Sequence, residues 1–441
     1  MTVFVPIMLF GWLPFTLVLF SLMRSRQAAV VSLILGWLFL PGAVYDFPGI
    51  PGYNRTTAIC FSIILGTLLL DTQCFKKLQI GKLDIPIIVW CLGGFFSSLS
   101  NGLGVYDGVA SVLRHVFDWG LPYTVGKIYF SDRQGLRELA VWIVIGGLIY
   151  IPFCIWEMRM GPTLHYYFYG FRMDKYATTI RFGGYRPSVF LRHGLAVGVW
   201  MMSSLLMGIW LWRTKAVKVL CRFSMGFNVA ALSIIFLLCR SLNAIILFAG
   251  GLLSYFAIRS LGLKSIALCL ALMPVFYLVG RNIEIISAEN LVETARRIDS
   301  DRATSLHIRL RHEELLAKKA WHRPLLGWGG YGRNRLQDEY GNDASITDAF
   351  WVSAFGVYGL VGLVSVGFVM LLPTVVFWSR YRTADWGDPE LSPIAALVCI
   401  IPLYVIDCLM NTMLNPVFTV AAGGILGWLA NKDDEPLSTS V

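Results

Sequence analysis

Apolar runs recur along the chain, separated for the most part by short polar turns: 6–23, 28–45, 58–70, 85–98, 109–130, 138–157 and 194–212, then 223–239, 243–258, 265–280, 349–378, 393–410 and 416–430. Runs with so few charges predict membrane-spanning helices, because roughly 20 apolar residues cross the hydrocarbon core of a bilayer. Several are shorter than that, and the pattern predicts about 12–13 helices. The expected fold class is all-α, a polytopic transmembrane helical bundle forming one integral membrane domain over 1–441. Two long polar stretches interrupt it, 158–191 and 281–347, and the larger is expected to contain helix. The first run has no basic segment before it and no small-residue cleavage site after it, so it reads as a retained helix and not a signal peptide.

Composition supports the membrane setting: 56% of residues are hydrophobic and only 15% charged, which excludes an ordinary soluble enzyme. Basic residues then assign the sides. Arg24 and Arg26, Lys76, Lys77 and Lys82, Arg133 and Arg137, Arg213, Lys215 and Lys218, Arg259 and Lys264, and Arg380 and Arg382 fall in connections of one parity, expected to be cytoplasmic. The opposite parity holds both long loops, which are nevertheless rich in Arg. Positive charge on the side that the insertion rule leaves poor in it suggests anion binding. The net charge of +10 is therefore read as partly topogenic, and no nucleic-acid partner is expected. Of nine cysteines, eight lie in or beside spans and Cys74 lies in an inner connection, a pattern without disulfide or metal-ligand spacing.

The most polar island is 299–332, DSDRATSLHIRLRHEELLAKKAWHRPLLGWGGYG. Within it, 303–321 reads as a helix: Ser300 and Asp301 offer caps, Glu314 and Lys318 form an i, i+4 pair, and Leu306, Leu310, Ala317 and Trp321 form an apolar stripe. Arg302 and Arg309, one heptad apart, share a side. Taken alone, this is a solvated surface helix. Pro324 should end it, and Gly327, Gly329, Gly330 and Gly332 form a turn with neither a preceding strand nor a following GK[ST], so a nucleotide loop is not indicated.

Three pieces together resemble the O-antigen ligase and O-antigen polymerase superfamily, which includes bacterial O-oligosaccharyltransferases. Arg309, a helix and then PLLGWGGYG are similar to that family's large-loop signature. Cys239-Arg240-Ser241 is similar to its Ser-Arg motif at a periplasmic helix end, and Phe355-Gly356-Val357-Tyr358-Gly359-Leu360-Val361-Gly362 to its Gly-x-x-Gly motif. The resemblance covers the C-terminal half; the N-terminal half matches only as hydrophobic helices. One residue departs from the pattern: the position where many members carry His is Ser345 here, with Asp343 and Asp348 nearby and His307, His312 and His322 elsewhere in the loop.

The resemblance implies transfer of a glycan from an undecaprenyl-pyrophosphate donor to an acceptor hydroxyl on a glycan or lipid, at the periplasmic face of a bacterial inner membrane, with no cofactor or metal. The chemistry is that of a glycosyltransferase in surface or exopolysaccharide assembly. The leaving pyrophosphate needs forked cationic donors, for which Arg240 and Arg309 are the candidates. Arg181, Arg186 and Arg192, with Arg302 and Arg311, are candidates for the second phosphate or the sugar. Asp348 is the first candidate for the base and Asp343 the second. The plainer readings are a helix-end Arg240 snorkelling to the interface and an Asp348 that caps a helix. Arg114 and Asp118, at i, i+4, are expected to form a structural ion pair, and Asp299-Ser300-Asp301 is better explained by helix capping than by a metal-binding DxD motif. The aromatic run LHYYFYGF at 164–171 reads as an interfacial belt before it reads as a sugar platform. Outside the transferase class, a non-catalytic transporter or flippase of lipid-linked oligosaccharide would also want outer arginines, and the absence of the usual His leaves open a degenerate member serving as a scaffold.

Overall fold

The structure, a computed structural model, describes residues 1–47, 50–173, 179–181, 183–283, 285–297, 300–340, 342–346 and 348–431, with the side chains at 50, 77, 295 and 300–302 left aside. Asp299 and the side chains of Asp301 and Arg302 thus lie outside the described residues, as does Gly341.

Helices account for nearly all of the regular structure. In chain order, α1 (Phe4–Leu22) and α2 (Ser25–Phe39) precede the hairpin β1 (Tyr45–Phe47) and β2 (Ile50–Tyr53), then come α3 (Arg55–Leu70), α4 (Ile85–Ser100), α5 (Val105–His115) and α6 (Leu121–Tyr129). The long α7 (Arg133–Met160) is followed by α8 (Leu164–Tyr169), the hairpin β3 (Ile180–Arg181) and β4 (Gly184–Tyr185), and α9 (Gly194–Arg213). A third hairpin, β5 (Val219–Leu220) and β6 (Phe223–Ser224), leads to α10 (Met225–Leu238), α11 (Leu242–Leu261) and α12 (Ser265–Asn282). The large loop carries α13 (Ala288–Arg296) and α14 (Ser300–Ala320), and the chain closes with α15 (Phe350–Arg380), α16 (Ser392–Cys408) and α17 (Pro416–Ala430).

Among the described residues, seven helices are long and apolar enough to cross a membrane, and α2, α3, α10, α16 and α17 are shorter apolar helices. The remaining expected run, 109–130, is interrupted by a π turn, Val116–Gly120, between α5 and α6. In that turn Asp118 accepts from Asn54 Nδ2 at 3.0 Å, and the Arg114 charge acts on it as well.

Side-chain caps mark several starts: Asn54 accepts from Thr57 N at 3.0 Å and Asp132 from Gly135 N at 2.7 Å. The core centres on α9, α16 and α17, with Trp200, Trp210, Phe418 and Trp428 fully buried. Small residues bring α6 and α17 into backbone contact, because a Cβ on Gly126 would strike the Val420 carbonyl and one on Gly423 the Tyr123 carbonyl.

The contacts sort into two ends. At one, Arg26 pairs with Asp132, Lys264 donates to the carbonyls of Trp378 and Tyr381 at 2.8 and 2.6 Å, and buried Lys127 meets Asp84 at 2.6 Å. These are the connections of basic parity. At the other end, the described parts of 158–191 and 281–347 fold back over the helices, with Glu157 pinning the smaller loop by accepting from the amides of Leu164, Ser188 and Val189 at 2.7–3.0 Å.

Candidate active site at the loop end

Two of the sequence motifs meet here backbone to backbone. The segment after α14 lies along a break in α15: Trp328 N donates to Gly356 O at 2.9 Å, Gly329 N to Val357 O at 3.1 Å, Leu360 N to Pro324 O at 2.7 Å and Val361 N to Leu325 O at 3.3 Å. The break is at Gly359, whose φ of +67° is open to glycine and strained for other residues. A Cβ on Gly359 would run into the Leu325 carbonyl, and one on Gly327 (φ +71°) into the Val357 carbonyl. The end of α4 completes the joint, as Asn101 donates to Gly327 O at 2.9 Å and accepts from Arg323 at 2.6 Å. The glycines of both motifs thus allow close approach of two backbones; they do not form a phosphate loop.

This joint fixes the position of α14. Ala303 and Leu310 pack against Ala288 and Val292 of α13, while Leu316, Ala317 and Ala320 pack against Trp351, Val352 and Phe355 of α15 and Leu409 beyond α16. α14 is thus a surface helix with Arg311, Glu314 and Lys318 exposed and one face buried against the bundle end.

On that face, Arg309 Nε meets Asp348 Oδ2 at 3.1 Å and Arg309 Nη1 donates to Asn411 Oδ1 at 3.4 Å. Asn411 Nδ2 in turn donates to Asp407 Oδ1 at 3.0 Å, and that oxygen also accepts from Asn243 Nδ2. Asn243 lies in the first turn of α11, three residues after Arg240. A continuous polar chain therefore links the neighbourhoods of the two candidate arginines. Asp407 is only 1% exposed, and among the described residues its Oδ2 has no hydrogen-bond partner. The sequence reading passed over Asp407, Asn411 and Asn243. The available signal was a single ionisable residue in the apolar run 393–410, since such a residue in a span is a functional candidate in its own right.

Arg240 sits between α10 and α11 with φ +54°, a left-handed conformation costing about 1–3 kcal/mol for a non-glycine residue. Its Nη1 donates to the Arg181 carbonyl at 2.9 Å, and the β3–β4 hairpin rests on it so closely that a Cβ on Gly184 would overlap the guanidinium. Arg186 is buried after this hairpin, covering Gly194 at the start of α9. Arg181 and Arg192 are exposed near the same place. Arg311 is exposed, and two residues from Arg309 on a helix it faces away from Asp348.

The two acids differ. Asp343 pairs with Arg335 and accepts from Ser345 N at 3.0 Å and Ser345 Oγ at 2.6 Å. The Ser345 hydroxyl and then Arg335 hold its carboxyl at about 2, which makes it a poor proton acceptor. Ser345, where the resembling family carries His, is thus a ligand of Asp343. Asp348 is half-buried at the start of α15, with its backbone carbonyl accepting from Thr412 Oγ1 at 2.7 Å.

Beside these groups an apolar groove of about 580 Å³ opens between α12, α15 and α16, with Trp321, Trp351 and Leu414 at its loop end. A polar pocket of about 400 Å³ adjoins it. In that pocket Glu313, 4% exposed, accepts from Tyr277 Oη at 2.9 Å and meets Arg281 Nε at 3.1 Å. Burial pushes the Glu313 carboxyl up, against the opposing pull of Tyr277 and Arg281.

No family model matches the chain, and no curated protein matches it. The likeness to the O-antigen ligase and polymerase superfamily accordingly stands on the three motifs and their order.

Proposed function

We propose that this protein is a multi-pass glycosyltransferase of the bacterial inner membrane that moves a glycan from undecaprenyl pyrophosphate to an acceptor hydroxyl on the periplasmic side. The acceptor oxygen attacks the anomeric carbon, the bond from that carbon to the phosphate oxygen breaks, and its electron pair leaves with the pyrophosphate. Arg240 and Arg309 donate forked hydrogen bonds to the leaving oxygens, worth most where water is excluded. Asp348 takes the hydroxyl proton through the oxygen not engaged by Arg309.

The observation that carries this reading is the chain Asn243–Asp407–Asn411–Arg309–Asp348, anchored three residues from a strained Arg240 and lying beside an apolar groove. Asp407, buried beyond the reach of substrate, acts as a positioning residue that holds Asn411 against Arg309. The test is the surface glycan of a strain lacking the gene. Shortened chains indicate a polymerase and lipid-linked chains left unattached indicate a ligase, while glycan unchanged in length and attachment contradicts the proposal.

A further inference from the structure

We infer that the polar pocket between α12, α13 and α14 is a subsite for the uncharged sugar head of a lipid whose apolar chain occupies the adjoining groove. This rests on the transferase reading above and assigns the acceptor's position.

The pocket is built and not merely acidic. Its size, about 400 Å³, is within the range of ~300–1,000 Å³ usual for small-molecule sites. Arg281 and Glu313 pair across it, and Lys318 meets Glu314 at 2.6 Å, so the charges contributed by these four residues cancel internally. Glu289, exposed on α13, is the remaining acid. Three carboxylates against two cations disfavour a pyrophosphate here, in contrast to the arginines around Arg240 and Arg309. Hydroxyl groups, which donate and accept, suit a wall of alternating carboxylates, Ser287 and Asn282.

Two indoles specify the head further. Trp321 is 47% exposed yet fixed, its Nε1 donating to Asn282 Oδ1 at 2.7 Å and its ring lying 5.2 Å from that of Phe355. A rigid, half-open aromatic face is what the C–H face of a pyranose stacks on. Trp351, 4% exposed, acts through its indole on the Glu313 carboxyl and so backs the pocket wall.

Asn282, Trp321 and Trp351 line both the pocket and the groove, so the two cavities adjoin. One ligand with a polar head and an apolar chain fits both. Arg309 and Glu313 are one helical turn apart on α14, about 5–6 Å along the axis, so a sugar in the pocket lies within a sugar's length of a phosphate held by Arg309.

The experiment uses the full chain in phospholipid nanodiscs with dodecyl glucoside carrying a photoreactive diazirine on its sugar, and maps labelled peptides. Labelling is expected within 281–289 and 313–321, displaced by unlabelled dodecyl glucoside and not by dodecyl phosphate. Trp321→Ala and Glu289→Gln, both at exposed positions, should each reduce it by about fivefold or more. Labelling spread over the lipid-facing helices, unaffected by Trp321→Ala, would overturn the assignment, as would equal displacement by dodecyl phosphate. Methyl glucoside displacing as well as the alkyl glucoside would overturn the lipid part by indicating a soluble sugar. None of these readouts needs donor or turnover, so loss of the subsite and loss of the transferase reading are separable.

Discussion

Arg309 reaches the loop end already engaged, with Asp348 on its Nε and Asn411 on its Nη1. That engagement orients the guanidinium before any ligand arrives and sets a competition, because a bound pyrophosphate has to share Arg309 with a carboxylate. Asp348→Asn removes the proton acceptor and one charge from that competition. It is expected to lower turnover about 100-fold while leaving donor affinity equal or tighter, measured as separate binding and single-turnover rates. A weaker donor affinity with unchanged turnover would make Asp348 structural. Asp343 behaves differently. Its folded carboxyl, at about 2, lies below its unfolded value, so the stability from its contacts with Arg335 and Ser345 is present above about pH 4 and is lost as pH falls through about 2. A carboxyl-carbon NMR titration should give that midpoint, and Ser345→Ala should raise it. A midpoint near 4 in the unaltered protein would contradict the Ser345 and Arg335 contacts.

At the scale of elements, the joint between the segment after α14 and the break in α15 decides where Arg309 lies. Gly359→Ala places a Cβ at φ +67° and against the Leu325 carbonyl. The backbone strain alone costs about 1–3 kcal/mol, so a fall in Tm of several degrees in detergent is expected, together with loss of function. An unchanged Tm would mean that the joint is not needed. The individual helices were legible in the sequence because apolar runs bounded by charge have one cheap solution in a membrane. The joint was not legible. Gly327 and Gly359 were visible as glycines, but their meeting depends on two backbones 32 residues apart, which periodicity does not encode. The helix α13 was also unexpected, being short and polar, with its apolar residues Ala288 and Val292 buried against α14. Asp407 was visible as a lone acid among apolar residues, but its partners Asn243 and Asn411 come from other parts of the chain.

For the whole molecule, basic connections contact one another at one end, as Arg26 does Asp132 and Lys264 the carbonyls of Trp378 and Tyr381, and the charge parity makes that end the expected cytoplasmic one. A chain with Cys221 as its single cysteine, exposed at the basic end, and another with Tyr340→Cys alone, exposed in the large loop, give opposite expectations. In intact spheroplasts a membrane-impermeant thiol reagent should label position 340 and reach Cys221 only after lysis. The reverse pattern would place the arginines on the cytoplasmic side and remove the donor argument.

The central claim is that Arg240 and Arg309 drive departure of a lipid pyrophosphate, and reconstitution tests it most directly. Purified protein in liposomes containing undecaprenyl-pyrophosphate oligosaccharide and an acceptor glycolipid should release undecaprenyl pyrophosphate as acceptor is glycosylated. Arg309→Ala and Arg240→Ala should slow that release by about 100- to 1,000-fold, with Lys restoring little because it lacks the planar fork. Release at the unaltered rate in either Ala variant, or no release by the intact protein, would contradict the account.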